Sequence, residues 1–143
     1  MQLDDLYRQV IMDHYQHPRN SGKIDEGTVD VDMRNPSCGD EITLQLLVKD
    51  GVIQDVKFLG SGCSISISSA SMMTEAVMGK TVEEALQMQE LFRQMVKGED
   101  IDAEELGDLE SLQGVSKFPA RFKCATLGWQ ALEKALQKQE ADA

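Results

Sequence analysis

Two runs of alternating apolar and polar residues, joined by a short turn, constrain the fold of this chain more than any other feature. The first run covers residues 41–49 and the second covers 52–60, with Asp50-Gly51 between them. A recurrence of apolar residues at every second position is typical of half-buried strands, and Asp-Gly between two such runs favours a two-residue hairpin turn. A shorter alternating run, 28–33, precedes both. The sequence therefore predicts three strands that form an antiparallel meander.

The alternation also predicts which side chains of the sheet share a face. In the first long run, one face carries Ile42, Leu44, Leu46 and Val48. In the second long run, Val56 and Phe58 lie on one face, and Ile53 and Leu59 lie on the other. We expect the apolar face of the first run to be buried against helices.

Four segments have the apolar spacing of amphipathic helices. Three of them cover residues 3–17, 64–78 and about 120–139, and the second is rich in small residues that permit close packing. The remaining helix starts with the capping box Thr81-Val82-Glu83-Glu84 and ends at Gly98. Its predicted apolar stripe consists of Val82, Ala85, Leu86, Phe92, Met95 and Val96.

The composition fits one domain with its own core. The chain has 143 residues, of which 41% are hydrophobic and 27% are charged. No internal repeat or low-complexity linker interrupts the pattern. We therefore expect a single α+β domain over residues 1–143, in which a three-stranded antiparallel sheet packs against several α-helices.

The charge of the chain limits its partners. A net charge of −11 opposes binding to nucleic acid and to anionic lipid. Between Glu83 and Glu110 there are ten acidic residues and two basic ones, which we interpret as a solvated surface without EF-hand spacing. The N-terminus does not have the pattern of a signal peptide, and no apolar run approaches the ~20 residues of a membrane span. These features predict a cytoplasmic protein that binds neither nucleic acid nor membranes.

Three cysteines, Cys38, Cys63 and Cys124, are the main functional candidates. An odd number of cysteines in a reducing compartment argues against a structural disulfide and favours metal ligation or thiol chemistry. The alternative is inert core cysteine, because free cysteine is among the most buried residue types. All three lie beside turn-forming or helix-starting residues, which favours the functional interpretation.

The loop Asn35-Pro36-Ser37-Cys38-Gly39-Asp40 places a thiol and a carboxylate two residues apart. Pro36 restricts the backbone and Gly39 can adopt a positive φ, so Cys38 and Asp40 can face the same small object. We interpret this loop as half of a metal site.

The other two cysteines complete a set of four ligands. Cys63 precedes one predicted helix and Cys124 lies early in the last one, where the helix dipole favours thiolate over thiol. Three thiolates and one carboxylate suit Zn²⁺, and they also suit iron with bridging sulfide. Arg121 and Lys123 are close enough in sequence to compensate the negative charge, although ordinary solvation explains them equally well.

The cysteines lie in three motifs along the chain, which are Asn35-Pro-Ser-Cys-Gly-Asp40, Gly60-Ser-Gly-Cys-Ser-Ile-Ser-Ile-Ser-Ser69 and Phe118-Pro-Ala-Arg-Phe-Lys-Cys124. Together they strongly resemble the IscU/NifU-N family of iron-sulfur cluster assembly proteins. The match spans nearly the whole chain, and the run from Tyr7 to Asn20 looks most like the SufU branch.

The resemblance implies an α+β fold with a site at one end built from Cys38, Asp40, Cys63 and Cys124. It also implies a PLP-dependent cysteine desulfurase as partner, whose persulfide sulfur passes to a site cysteine.

The resemblance further makes Tyr7, His14 and the first helix candidates for docking a partner. A lone histidine on an amphipathic helix is more often structural than a metal ligand, so His14 and His17 are not among the predicted ligands.

Two departures distinguish this chain from the scaffold branch of that family. Lys123 precedes Cys124 where scaffolds have histidine, and Phe118-Pro-Ala-Arg-Phe122 replaces their chaperone-recognition motif. The segment between Cys63 and Cys124 is also longer. These features are similar to SufU-type proteins, which bind zinc and accept sulfur from a SufS-type desulfurase.

We therefore expect a zinc-dependent sulfurtransfer protein in iron-sulfur cluster biogenesis, which stimulates the desulfurase rather than acting as a stand-alone enzyme. Cys38 would accept the sulfur, because its loop is the most mobile of the three settings. The recipients would be a downstream Suf scaffold or apo iron-sulfur proteins. One alternative is a scaffold that builds and transfers a [2Fe-2S] cluster made labile by Asp40. Another is a purely structural zinc module.

Overall fold

The computed structural model describes residues 3–22, 24, 29–35, 39–99, 101 and 104–142. It contains helix α1 (Leu3–Gln16), strands β1 (Val29–Asn35), β2 (Asp40–Lys49) and β3 (Val52–Ser61), and helices α2 (Ser64–Val77), α3 (Val82–Val96) and α4 (Phe122–Asp142). Two 3₁₀ segments, Glu104–Lys117 and Pro119–Arg121, lie between α3 and α4. The elements confirm the predicted α+β class. None of the described helices is both long and apolar enough to cross a membrane.

The three strands form one antiparallel sheet in the order β1-β2-β3. Asp50 and Gly51 connect β2 to β3 with φ of 53° and 75°. Two successive positive φ values are what a tight hairpin turn with matching strand twist requires, and Asp-Gly adopts them readily. The predicted meander and its turn are both confirmed.

One prediction about the sheet faces is wrong. Leu47 pairs with Asp55 while Val48 pairs with Ile53, so Gln54 is an extra residue in β3. A bulge of one residue reverses the alternation on its far side. Ile53 is consequently buried in the core with Val56 and Phe58, whereas Leu59 remains 41% exposed.

Helix α4 packs on β1 and β2, and α2 packs against α4, α1 and β3. The two helices approach closely at Gly128, where an added Cβ would lie 3.1 Å from the Cα of Ala70. Ser69 Oγ donates a hydrogen bond to the carbonyl oxygen of Ala125 across the same contact, at 2.6 Å. The small residues of α2 therefore permit close packing, as the sequence predicts.

The capping box at the start of α3 is confirmed. Thr81 Oγ1 accepts from the Glu84 N–H at 3.1 Å, and Glu84 Oε1 accepts from the Thr81 N–H at 3.0 Å. The buried stripe is narrower than predicted, because Leu86 is 40% exposed. One residue along a helix rotates the side chain by about 100°, which turns Leu86 away from the face that buries Ala85.

The acidic stretch before α4 is more ordered than the sequence suggests. The 3₁₀ segment Glu104–Lys117 contains buried leucine and valine side chains at every third position, namely Leu106, Leu109, Leu112 and Val115. Gly107 has non-helical backbone angles, with φ of 57° and ψ of −128°, so the segment is two helices joined by a kink. The three-residue period from Leu109 to Val115 is that of a 3₁₀ helix, so this part of the pattern could have indicated the element. Charged side chains such as Asp108 stay exposed, so the segment has a solvated face and a buried one.

Candidate metal centre

Three of the four predicted ligands meet at one end of the sheet. A carboxylate oxygen of Asp40 and the Sγ atoms of Cys63 and Cys124 all lie within 4.8 Å of one another. Cys38, two residues before Asp40 in the chain, lies outside the described residues. Its assignment as a ligand stays a prediction from the sequence.

The strand pairing explains why Asp40 and Cys63 are neighbours. Asp40 is the first residue of β2, and the adjacent Glu41 pairs with Ser61 at the end of β3. Cys63 follows two residues later as the N-cap of α2, with extended backbone at φ −76° and ψ 165°. Its N–H donates to Asp40 Oδ1 at 2.9 Å. The junction between β3 and α2 therefore fixes both candidate ligands.

Cys124 reaches the same point from the other side of the molecule. It is the third residue of α4, just after the short 3₁₀ turn Pro119–Arg121, and it is fully buried. Its thiol is hydrogen-bonded to Asp40. The 3₁₀ turn continues into α4 without a break, because the Phe122 N–H donates to the Pro119 carbonyl oxygen. Arg121 and Lys123 are both exposed, and their electrostatic role stays a prediction.

Asp40 is only 1% exposed and is surrounded by donors. Ser66 Oγ donates to Asp40 Oδ2 at 2.6 Å, and Cys63 Sγ lies 3.8 Å from the same oxygen. Burial by itself would raise the pKa of Asp40, but hydrogen bonds from Ser66, the Cys63 N–H and the thiols of Cys124 and Cys63 lower it below 3.8. The carboxylate is therefore ionised at neutral pH and ready to bind a cation.

The donor set fits a tetrahedral metal. Two thiols and a carboxylate are ordinary ligands of Zn²⁺, which binds S and O atoms at about 2.0–2.3 Å. Atoms bound to one ion at that distance lie less than 4.8 Å apart, and the three candidate ligand atoms are within this limit of one another. The same donors could hold iron. The sequence predicts only a packing role for the small residues of α2, and it does not reveal the contact of Ser66 with Asp40.

His14 belongs to a different cluster. It is 1% exposed, with Nδ1 2.7 Å from Ser71 Oγ on α2 and Nε2 3.0 Å from Asp108 Oδ2 on the 3₁₀ segment. The expectation that His14 docks a partner is therefore wrong, because its ring faces the interior and ties three elements together. The side chain of Tyr7 lies outside the described residues.

A cleft of about 670 Å³ lies near the start of α2, where the candidate metal centre also lies. Its walls come from α1, the first turn of α2 and the end of the segment Glu104–Lys117. Apolar side chains such as Ile11, Ile65 and Val115 line it together with the basic residues Arg8, Lys117 and Arg121. Ser64, the residue after Cys63, is also part of the wall.

The chain matches known proteins over most of its length. The model of the NifU-like N terminal domain matches residues 6–125. The chain is 57% identical to the zinc-dependent sulfurtransferase SufU of Bacillus subtilis (strain 168), over 96% of this chain and 94% of that protein. It is 46% identical to the iron-sulfur cluster assembly scaffold protein IscU of Streptococcus pyogenes serotype M1, over 95% of this chain and 86% of that protein.

A solved structure supports the same relationship. The putative iron-sulfur cluster assembly scaffold protein for the SUF system from Fervidobacterium islandicum AW-1 aligns with a TM-score of 0.85 and 40% identity, covering 90% of this chain and 94% of that chain. The resemblance stated from the three cysteine motifs is thereby confirmed. The chain belongs to the NifU-like N-terminal domain family, within its SufU-type branch.

Proposed function

We propose that this protein accepts persulfide sulfur from a PLP-dependent cysteine desulfurase of the SufS type, as a zinc-dependent step of iron-sulfur cluster biogenesis in the cytoplasm. The observation that carries the proposal is the meeting of Asp40, Cys63 and Cys124 at one end of the sheet. The 57% identity to a zinc-dependent sulfurtransferase supports the choice of zinc and of sulfur transfer. Cys38, Asp40, Cys63 and Cys124 are the proposed ligands.

Zinc bound at this site would supply a positive charge that keeps the thiols deprotonated at neutral pH. The residues of the chain position the ligands. Cys63 is the N-cap of α2 and Cys124 lies in the first turn of α4, which brings both sulfurs to Asp40. Asp40, held between the Cys63 N–H and Ser66, adds a carboxylate, which is a weaker ligand than thiolate for a soft site.

The transfer itself needs no external oxidant. The Cys38 thiolate attacks the terminal sulfur of the persulfide on the desulfurase and forms a new S–S bond. The S–S bond of the donor breaks, and the donor cysteine leaves as a thiolate. The protein then carries the persulfide to a downstream Suf scaffold or to an apo iron-sulfur protein.

The cleft near the start of α2 is the proposed docking surface for the desulfurase. The chain as a whole carries a net charge of −11, yet the cleft presents Arg8 and Lys117 beside an apolar floor. Neither cation makes a hydrogen bond or ion pair with the part of the chain that the structure describes. Phe118 at the rim is 63% exposed. These features suit a segment of the desulfurase that carries acidic side chains and one bulky apolar side chain.

The test is an anaerobic incubation of the zinc-loaded protein with a SufS-type desulfurase and cysteine, without iron. Persulfide is then mapped on each cysteine by mass spectrometry. We expect sulfur on Cys38 with zinc retained, and we expect C38A to lose both the persulfide and the stimulation of the desulfurase. Undiminished stimulation by C38A would refute the role of Cys38.

A scaffold that assembles a [2Fe-2S] cluster is the second candidate. It is supported by the 46% identity to a scaffold protein named IscU and by a donor set that also suits iron. The same experiment separates the two functions. A protein that takes no persulfide without iron, but binds a cluster once iron is added, would be a scaffold.

A further inference from the structure

Ser66 occupies an unusual position in the first turn of α2. Its side chain is fully buried, and its Oγ lies 2.6 Å from Asp40 Oδ2 and 3.7 Å from Cys63 Sγ. Its hydroxyl therefore contacts two of the proposed metal ligands at once.

The environment of Ser66 differs from that of Ser68 and Ser69 in the same helix, whereas Ser71, like Ser66, bonds to a side chain of another element, that of His14. Buried serines in helices usually bond to a backbone carbonyl of the preceding turn. Ser68, two residues along, does so with the Ile65 carbonyl oxygen at 3.3 Å, and Ser69 bonds to the Ala125 carbonyl oxygen. Ser66 bonds instead to a side chain on β2, so packing of the helix alone does not explain it.

The hydroxyl of Ser66 has one proton to donate. An ionised carboxylate can only accept hydrogen bonds, so that proton goes to Asp40. Asp40 is then held at both oxygens, with Oδ1 on the Cys63 N–H at 2.9 Å and Oδ2 on Ser66. Two donors on different oxygens fix the rotation of the carboxylate as well as its position.

We propose that Ser66 is a positioning residue that holds the Asp40 carboxylate in its metal-binding orientation. The inference rests on the metal site of the proposed function. Partners that orient a ligand commonly change metal affinity by about 10–100-fold when removed. Asp40 is the only oxygen ligand proposed, so its orientation is the one most dependent on such a partner.

The test is a double-mutant cycle on zinc affinity, measured by competition with a chelator for wild type, S66A, D40A and D40A/S66A. We expect S66A to weaken zinc binding by about 10–100-fold in the wild-type background and to have no further effect when Asp40 is absent. S68A is the matched control, since it removes a buried hydroxyl from the same helix without touching a ligand, and it should bind zinc as wild type does.

Circular dichroism of the metal-free variants shows that each is folded before zinc is added. Equal losses from S66A in both backgrounds would mean a general structural effect and would overturn the proposal, as would an S66A affinity equal to wild type. If D40A loses zinc affinity and S66A does not, the positioning role of Ser66 is overturned and the proposed metal site is not. Unchanged affinity in D40A overturns the proposed metal site and this inference with it.

Discussion

The backbone of Gly62 lies directly against the side chain of Asp40. A Cβ added at Gly62 would overlap the Asp40 carboxylate and come within 3.0 Å of the Asp40 Cα. Gly62 also has φ of +143°, a conformation that residues with a side chain rarely adopt. Glycine at this position therefore leaves the space that the carboxylate occupies.

Replacing Gly62 with alanine should displace Asp40 and weaken zinc binding. We expect a cost of about 1–3 kcal/mol in the free energy of unfolding from the backbone alone, together with a loss of zinc affinity measurable by chelator competition. Gly79→Ala is the control, because Gly79 also has a positive φ, +81°, but has no atom within 4 Å of an added Cβ. A G62A variant that binds zinc as tightly as G79A would contradict the prediction.

The buried His14 should matter for stability and not for metal binding. H14A removes the hydrogen bonds to Ser71 and Asp108 and leaves Ser71 Oγ with one partner fewer. We expect the free energy of unfolding to fall by about 1–3 kcal/mol in urea denaturation, with zinc affinity unchanged. His17→Ala, at an exposed position near the end of the same segment, should stay within about 0.5 kcal/mol of wild type. Equal effects from the two variants would mean that the buried contacts of His14 contribute nothing.

The sequence predicts the elements of this fold well because each has a strong local signal. Alternation defined β2 and β3, the Asp50-Gly51 pair defined the turn, and Thr81 with Glu84 defined the start of α3. What it did not predict depends on pairing between distant residues. The bulge at Gln54 arises from the register of β2 against β3, and it alone decides that Ile53 is buried.

The candidate site shows the same division. Cys63, Cys124 and Asp40 could be chosen from the sequence because their residue types carry metal chemistry and their settings are turns and helix starts. Ser66 could not, since a serine in a small-residue helix has no local feature that distinguishes a packing role from a contact with a ligand. That distinction appears only when β2 pairs with β3 and brings Asp40 over the first turn of α2.

The capping box of α3 should make part of the stability depend on pH. The Thr81 N–H, and then the Thr81 hydroxyl, hold the pKa of Glu84 below 4.5, with burial opposing them. A carboxylate whose pKa is lowered by folding stabilises the protein above its unfolded pKa, and this stability is lost as the pH falls through the lower folded pKa. We expect metal-free wild type to lose stability on acidification from about pH 6 to pH 3 more steeply than E84Q. Parallel profiles of unfolding free energy would rule out this contribution.

Reversing the charges of the cleft should weaken docking of the desulfurase. The double variant R8E/K117E places acidic groups in the cleft, where they would repel the acidic side chains of the proposed partner segment. We expect the association rate to fall by about 10-fold or more at low ionic strength. The difference in rate between wild type and variant should shrink as salt is added. K49E/K134E is the matched control, because it makes the same change in net charge at exposed positions outside the cleft. Surface-binding kinetics with immobilised desulfurase measure the association rate of each double variant. If the two double variants slow association equally, the effect comes from net charge and the cleft is not the docking surface.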